Sequence, residues 1–173
     1  MKKIILLIAI FTFKKDAAQI ISTVAGNGTA SYGGTLIGSV APGLFTADAS
    51  GNGVAAGVAR VLHTDGTLTT TVTFTCAQPG NCTATPIVLG GAADQTVLEL
   101  YGTGIRGRKS LDNVTCTIGG IAAPVLYAGP QGQYAGEDQV NVSLPSALAG
   151  AGPVSIKLMV DGSPANTVTV VIR

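Results

Sequence analysis

Few side chains in this sequence could carry out chemistry, and their types and spacing do not form a catalytic pattern. His63 is the only histidine, so any Ser-His-Asp or Cys-His arrangement would have to include it. No G-x-S-x-G motif places a nucleophilic serine on a strand-to-helix turn. One histidine and three cysteines, two of them expected in a disulfide, cannot complete a tetrahedral zinc site. We expect no enzymatic activity, no metal and no cofactor; paired surface carboxylates are the catalytic alternative that remains.

Two short motifs are similar to ligand sites but lack elements that those sites need. Gly102–Gly107 matches G-x-G-x-x-G, yet the following residues lead into another strand, so no helix N-terminus would face a pyrophosphate. Asp48–Gly53 has oxygen side chains at the first positions of a calcium loop, but Ala59 occupies the position of the bidentate Glu. We interpret the first as a turn with positive φ at glycine and the second as an Asx-type turn.

The cysteines predict one disulfide and one inert thiol. Cys76 and Cys82 flank Ala-Gln-Pro-Gly-Asn, a turn sequence that could bring their Cα atoms within disulfide range. Export would permit the bond to persist. Cys116 alternates with Val114 and Ile118, so we expect its side chain to be buried with theirs and unreactive.

The charged residues cluster in two places, both in predicted loops. Arg106, Arg108 and Lys109 form a basic group, and Glu137-Asp138 forms an acidic pair. The simplest interpretation is a solvated rim, in which pairing would add little to stability. The loops at 101–109 and 129–138 are nevertheless the candidate binding surface for a carbohydrate or a protein. The residues proposed for it are Tyr101, Arg106, Arg108 and Tyr134.

Residues 1–18 have the pattern of a secretory signal peptide. Met1-Lys2-Lys3 is a positively charged start, and Ile4–Phe13 is an apolar run too short to cross a bilayer. Asp16-Ala17-Ala18 offers small residues for cleavage before Gln19. We therefore expect a protein that is secreted or held at the cell surface, with no membrane span after cleavage. An uncleaved amphipathic anchor is the alternative.

Composition favours many short strands. Hydrophobic residues make up 46% of the chain, charged residues only 11%, and 24 residues are glycine. Long amphipathic helices need charged outer faces, which this composition cannot supply. Loss of residues 1–18 would remove four of the ten Lys and Arg and one of the nine Asp and Glu, leaving a net charge of −2. We therefore expect no nucleic-acid partner.

Period-two alternation predicts an all-β, immunoglobulin-like β-sandwich of short antiparallel strands. It places Val140, Val142 and Leu144 on one face, and the same pattern recurs in Val154–Val160 and Val168–Ile172. Asp65-Gly66 predicts a type I′ hairpin turn. The other predicted strands are Val54–His63, Leu68–Thr75, Pro86–Leu89, Gln95–Tyr101, Val114–Ile118 and Ile121–Tyr127, with one helical turn at Ser146–Leu148.

Four motifs, in order, resemble the bacterial Solibacter-type C-terminal domain: Ala41–Gly51, Leu100–Arg106, Val125–Gly132 and Asp138–Val142. That family is functionally uncharacterised and occurs at the C-termini of large exported proteins. The resemblance implies an immunoglobulin-like module over residues 41–173, which correspond to the later half of the usual domain. Separately, residues 20–28 resemble the opening of an NHL-type propeller repeat. One such fragment cannot close a propeller.

Residues 19–40 form a segment of their own, too apolar for a free tail. Ile20, Ile21 and Val24 are its candidate pairing residues, and Gly26, Gly28, Gly33 and Gly34 supply hinges. The segment either folds back on its own domain or inserts into a neighbouring copy as a donated strand. The leading functional hypothesis is a non-catalytic extracellular structural or adhesive module that self-assembles through this strand. The alternative is an extracellular carbohydrate- or protein-binding module.

Overall fold

The computed structural model describes residues 40–173. The predicted signal peptide, the donor-strand residues Ile20, Ile21 and Val24, and the NHL-like fragment lie outside the described residues. The strands, in chain order, are β1 Gly43–Leu44, β2 Gly53–Val54, β3 Gly57–Leu62, β4 Leu68–Val72, β5 Phe74–Gln78, β6 Asn81–Ala84, β7 Gln95–Thr103, β8 Val114–Ile118, β9 Ile121–Ala123, β10 Val125–Pro130, β11 Asp138–Ser143, β12 Gly152–Val160, β13 Ser163–Pro164 and β14 Val168–Ile172.

Two six-stranded sheets form the sandwich, as predicted. The first has the order β10-β11-β7-β3-β4, with β1 beside the end of β7. The second has the order β2-β14-β12-β8-β9, with β13 beside β12. The pairs are antiparallel except for β2 with β14, and β5 pairs with β6 in a separate hairpin. Short 3₁₀ helices span Leu111–Asn113 and Ser146–Leu148, the latter where the sequence predicts a helical turn.

The core lies between the sheets and is made by the predicted alternation. Val140 and Val142 of β11 are fully buried, as are Ile156 and Val160 of β12 and Val168 of β14. The intervening residues of these strands are half-buried or exposed. Val154 differs from the prediction in being only half-buried, although it packs against the core.

Three predicted strands are each broken where the chain leaves a sheet. Ile121–Tyr127 divides at Pro124, because β9 belongs to the second sheet and β10 to the first. Val54–His63 divides at Ala55-Ala56 for the same reason. Leu68–Thr75 divides at Thr73, whose buried hydroxyl donates to the carbonyl of Ala55 at 2.6 Å. Pro86–Leu89 forms only an isolated bridge, between Ile87 and Ile172.

The turn between β3 and β4 is not the predicted type I′. That turn requires positive φ at both central residues. Gly66 has φ 82°, but Asp65 is not among the positive-φ residues of the described chain. The N–H of Gly66 donates to the carbonyl of His63, and the N–H of His63 to the carbonyl of Thr67, both at 2.9 Å. The hairpin therefore closes through the longer loop Thr64-Asp65-Gly66, in which only glycine adopts the left-handed conformation.

Candidate functional site

The two predicted binding loops lie together, joined by an ion pair that the sequence does not show. Nε of Arg106 lies 2.5 Å from Oδ1 of Asp138, and Nη2 of Arg106 donates to the carbonyl of Glu137 at 2.7 Å. The other carboxylate oxygen of Asp138 accepts from the N–H groups of Ile105 and Arg106, at 2.7 and 3.1 Å. The Asp138 side chain is fully buried, so the expectation of a solvated rim is wrong for this pair.

Glycines at the start of the first loop allow close approach of another segment. β1 pairs with β7 so that Gly43 lies opposite Thr103 and Leu44 opposite Gly102. A Cβ atom on Gly102 would overlap the carbonyl oxygen of Gly43, and one on Gly104 would overlap that of Ala41. Gly104 also has φ 71°, as the turn interpretation predicts. The first two glycines of the G-x-G-x-x-G motif are thus needed because the backbone of another segment packs directly against them.

The proposed contact residues differ in exposure. Tyr134 is 49% exposed at the tip of the second loop. Tyr101 is half-buried on the outer face of β7, where burial and then the neighbouring Glu99 raise the pKa of its phenol. Arg106 presents 41% of its side chain to solvent despite its ion pair. Arg108 is half-buried, and its Nε has no hydrogen-bond partner among the described residues. Of the four proposed contact residues, Tyr134 and Arg106 are therefore the most accessible.

A second polar cluster, which the sequence analysis missed, surrounds the single histidine. Nδ1 of His63 lies 2.9 Å from Oδ2 of Asp94, and Nε2 lies 2.9 Å from the hydroxyl of Thr69. The hydrogen bond from His63, followed by that from the N–H of Gly91, lowers the pKa of Asp94. Asp94 and Thr69 are 31 and 6 residues from His63 in sequence. The one sequence signal for this cluster is the position of His63 beside a hairpin turn, where a polar side chain can reach a neighbouring loop.

The carboxylate of Asp94, the imidazole of His63 and the hydroxyl of Thr69 are hydrogen-bonded in the order of a catalytic triad. The other contacts of Asp94 are those of a residue that holds two loops together. Asp94 also accepts from the N–H groups of Thr64 and Gly91, so it ties its own loop to the β3–β4 hairpin. Those two N–H groups are consequently not available to stabilise an oxyanion. Two shallow depressions of about 330 and about 270 Å³ lie on the second sheet, and neither includes His63.

The calcium-like segment closes on itself. Oδ1 of Asp48 accepts from the N–H of Ser50 at 3.1 Å and from its hydroxyl at 2.8 Å, which makes the predicted Asx-type turn. Asn166 then joins this region to β1, because its amide donates to the carbonyls of Leu44 and Gly51 at 2.9 and 2.7 Å. The oxygen atoms are therefore used for internal hydrogen bonds.

The predicted disulfide is present, and it staples the β5–β6 hairpin. Cys76 lies directly opposite Cys82 in that pair, and their sulfur atoms are bonded. The hairpin is otherwise exposed over most of its length. The bond indicates an oxidising environment for the folded protein.

Cys116 is expected to resist thiol reagents until the domain unfolds. It is 4% exposed, on the face of Val114 and Ile118 as predicted, and burial raises the pKa of its thiol to about 12. The thiolate is the reactive form, so labelling at pH 8 should be roughly a thousandfold slower than for a free cysteine. Non-reducing intact-mass analysis after labelling in denaturant should count one thiol. Fast labelling of the native protein would contradict the burial of Cys116.

Residues 40–173 contain no helix that is long and apolar enough to cross a membrane. Comparison of the chain with family models, curated proteins and solved structures found no match.

Proposed function

We propose that this protein is a non-catalytic structural or adhesive module of the cell exterior, and that copies of it associate by strand addition. The N-terminal segment containing Ile20, Ile21 and Val24 is the proposed donor strand. The resemblance of residues 41–173 to the Solibacter-type domain supports this proposal, because that family is associated with large exported proteins. The disulfide supports it independently, since cytosolic proteins rarely keep such bonds.

The observation that carries the proposal is an unprotected sheet edge. β4 ends the first sheet and has no neighbour on its outer side within residues 40–173. Its sequence, Leu-Thr-Thr-Thr-Val, contains neither proline nor charge, which are the usual protections of an edge strand. An open edge of this kind is a template for another strand.

The start of the described domain also fits a donated segment. Val40 is 8% exposed, and the N–H of Ala41 donates to the carbonyl of Gly104 at 3.0 Å. Val40, the last residue of the predicted segment 19–40, therefore lies at a fixed point beside the end of β7. An extended chain spans about 3.3 Å per residue, so a segment of this length can reach a neighbouring copy.

A second candidate function, recognition of a carbohydrate or protein, is favoured by the joined loops. The Arg106–Asp138 pair and a 3.1 Å hydrogen bond from Thr103 to the carbonyl of Gly136 hold them side by side. Tyr134, which is exposed there, offers a ring for stacking. Binding to a glycan array that Tyr134→Ala abolishes would favour this function over assembly.

The assembly proposal predicts that the protein without residues 1–18 forms concentration-dependent polymers. A donated strand makes a head-to-tail contact, which does not close and so extends the assembly. Deleting residues 19–34 should abolish the long polymers, and a peptide of residues 19–34 should bind the shortened protein. Sedimentation velocity and negative-stain microscopy measure the first effect, and fluorescence anisotropy the second. An intact protein that stays monomeric at every concentration would refute the proposal.

A further inference from the structure

The aromatic residues of the described domain lie outside its core. Residues 40–173 contain five phenylalanines and tyrosines, and none of them is among the buried residues between the two sheets. Large rings usually contribute much of a core, because each can bury a large apolar area. Rings that are exposed and gathered in one place instead indicate a contact surface. Three of the five, Phe45, Tyr101 and Tyr127, lie together on the outer face of the first sheet.

The three rings belong to one row of residues that crosses the strands. Gly129 of β10 lies opposite Gln139 of β11, and Gln139 lies opposite Tyr101 of β7. The N–H of Phe45, the residue after β1, donates to the carbonyl of Tyr101 at 2.8 Å. Leu44 is buried and Phe45 is 41% exposed, so the Phe45 ring is on the outer side of the sheet, as Tyr101 is.

The ring of Tyr127 lies across Gly129 and completes the row. A Cβ atom on Gly129 would be 2.9 Å from the phenol oxygen of Tyr127 and 3.2 Å from its Cζ. The hydroxyl of Tyr127 donates to the carbonyl of Pro130 at 2.6 Å, which holds the ring in this position. Gly129 is buried beneath the ring, whereas Tyr127 is 38% exposed. The ring is therefore positioned in advance for a ligand on its solvent side.

Amide groups lie between the two tyrosines, and the nearby charges are paired. Nε2 of Gln139 donates to Oδ1 of Asn141 at 2.7 Å. Oε1 of Gln139 and Nδ2 of Asn141 have no hydrogen-bond partner among residues 40–173, and both side chains are partly exposed. Beside them, Arg60 is paired with Glu99 at 2.7 Å. The row thus offers a free acceptor and a free donor but no net charge.

We infer that this row binds an extended, neutral polysaccharide of β-1,4-linked pyranose rings. The equatorial hydroxyl groups of such sugars leave apolar C–H faces, which stack on aromatic rings. Hydroxyl groups both donate and accept, so they can pair with the free amide atoms of Gln139 and Asn141. Tyr127 and Tyr101 are on strands about 10 Å apart, because neighbouring strands are about 4.8 Å apart. A chain of sugars crossing the strands would meet ring, amide, ring and ring in turn.

The polar centre of the row favours a sugar over a protein partner. A stable protein contact covers about 800 Å² on each side and is most apolar at its centre. Here the centre is a pair of amides, and the rings flank it. A charged polysaccharide is also disfavoured, because the guanidinium of Arg60 is already neutralised by Glu99.

The inference goes beyond the proposed function and does not depend on it. The row contains no residue of β4, so a strand added at that edge would leave the row accessible. The row also differs from the loop surface around Tyr134, because strands hold its rings in place. Only Tyr101 belongs both to the row and to the residues proposed for the loops.

Titration calorimetry of the chain without residues 1–18 tests the row, with cellohexaose and xylohexaose as probes. The surface is shallow, so at least one probe should bind with a dissociation constant of about 10 µM to 1 mM. Phe45→Ala and Tyr127→Ala should each weaken binding by about threefold to tenfold. Tyr134→Ala, an equally exposed tyrosine outside the row, is the matched control and should leave the affinity unchanged. Maltohexaose, whose α-linked chain coils, should bind more weakly than the β-linked probes.

Gly129→Ala separates a ligand site from a row that only stabilises the sheet. The added methyl group would displace the end of the Tyr127 side chain, so binding should weaken about as much as in Tyr127→Ala. Tyr127→Phe keeps the ring and should bind more tightly than Tyr127→Ala. Cooperative thermal unfolding of each variant confirms that it is folded.

Four results would overturn the inference. They are no binding of either β-linked probe, equal binding of maltohexaose, binding that Tyr134→Ala abolishes while Phe45→Ala leaves it intact, and unchanged affinity in both Tyr127→Ala and Gly129→Ala. Each of them would leave the assembly proposal standing, because that proposal is tested by the concentration dependence of polymers.

Discussion

Replacing Arg106 with alanine is expected to destabilise the domain by about 3 kcal/mol, because it leaves a buried carboxylate without its counter-charge. The side chain of Asp138 is fully buried. Its hydrogen bonds from two backbone N–H groups cannot replace the positive charge of the guanidinium. Urea unfolding at neutral pH, followed by circular dichroism, measures the change in the free energy of unfolding.

A second substitution shows whether charge is the cause. Asp138→Asn removes the carboxylate charge and keeps an acceptor oxygen, so the double variant with Arg106→Ala should be more stable than Arg106→Ala alone. Arg108→Ala is the matched control, since this nearby arginine makes no ion pair with the described residues. We expect it to cost less than about 1 kcal/mol. Equal losses for Arg106→Ala and Arg108→Ala would show that the Arg106–Asp138 pair contributes nothing specific.

Val142→Asp and Ile156→Asp should each unfold the domain or leave it barely folded. Both side chains are fully buried between the sheets, and an unpaired charge there costs several kcal/mol, comparable with the whole stability of a small domain. Loss of the cooperative thermal transition in circular dichroism would report this.

Neighbouring residues on the opposite faces supply the controls. Ser155 is exposed, so Ser155→Asp should change the free energy of unfolding by less than about 0.5 kcal/mol. Asn141→Asp keeps the oxygen that accepts from Gln139, but it also lies opposite Glu99, so we expect a loss of up to about 1 kcal/mol. The reverse order of sensitivities would mean that each strand presents its other face to the core.

The alternation of side chains predicted the core because it is a local property. Valines two residues apart share a face whatever the rest of the chain does, and Val140, Val142, Val168 and Val170 are all buried. The same rule cannot detect a strand that changes sheets, as at Pro124, since both halves keep their alternation. Pro124 itself was the available signal, because proline seldom occurs within a paired strand.

The site was less predictable, because its contacts join residues that are distant in sequence. The loops at 101–109 and 129–138 could be named from their composition, but the ion pair that joins them spans 32 residues. The contact between His63 and Asp94 spans 31. A single sequence specifies residue types, whereas such contacts depend on the order of strands in each sheet, which sets which loops meet.

The position of β14 in the second sheet has a consequence for the order in which the protein is made and folds. β14 lies between β2 and β12 and pairs with both. Its Ile172 also forms a bridge to Ile87, so a third part of the chain is held in place by β14. A chain emerging from the ribosome therefore cannot complete this sheet until Ile172 has appeared. Val168 of β14 then pairs with Gly53 of β2, about 115 positions earlier in the sequence. Pairings between residues so distant in sequence form slowly. Completion of this sheet, and with it closure of the core between the two sheets, is therefore a step that can only follow the synthesis of β14.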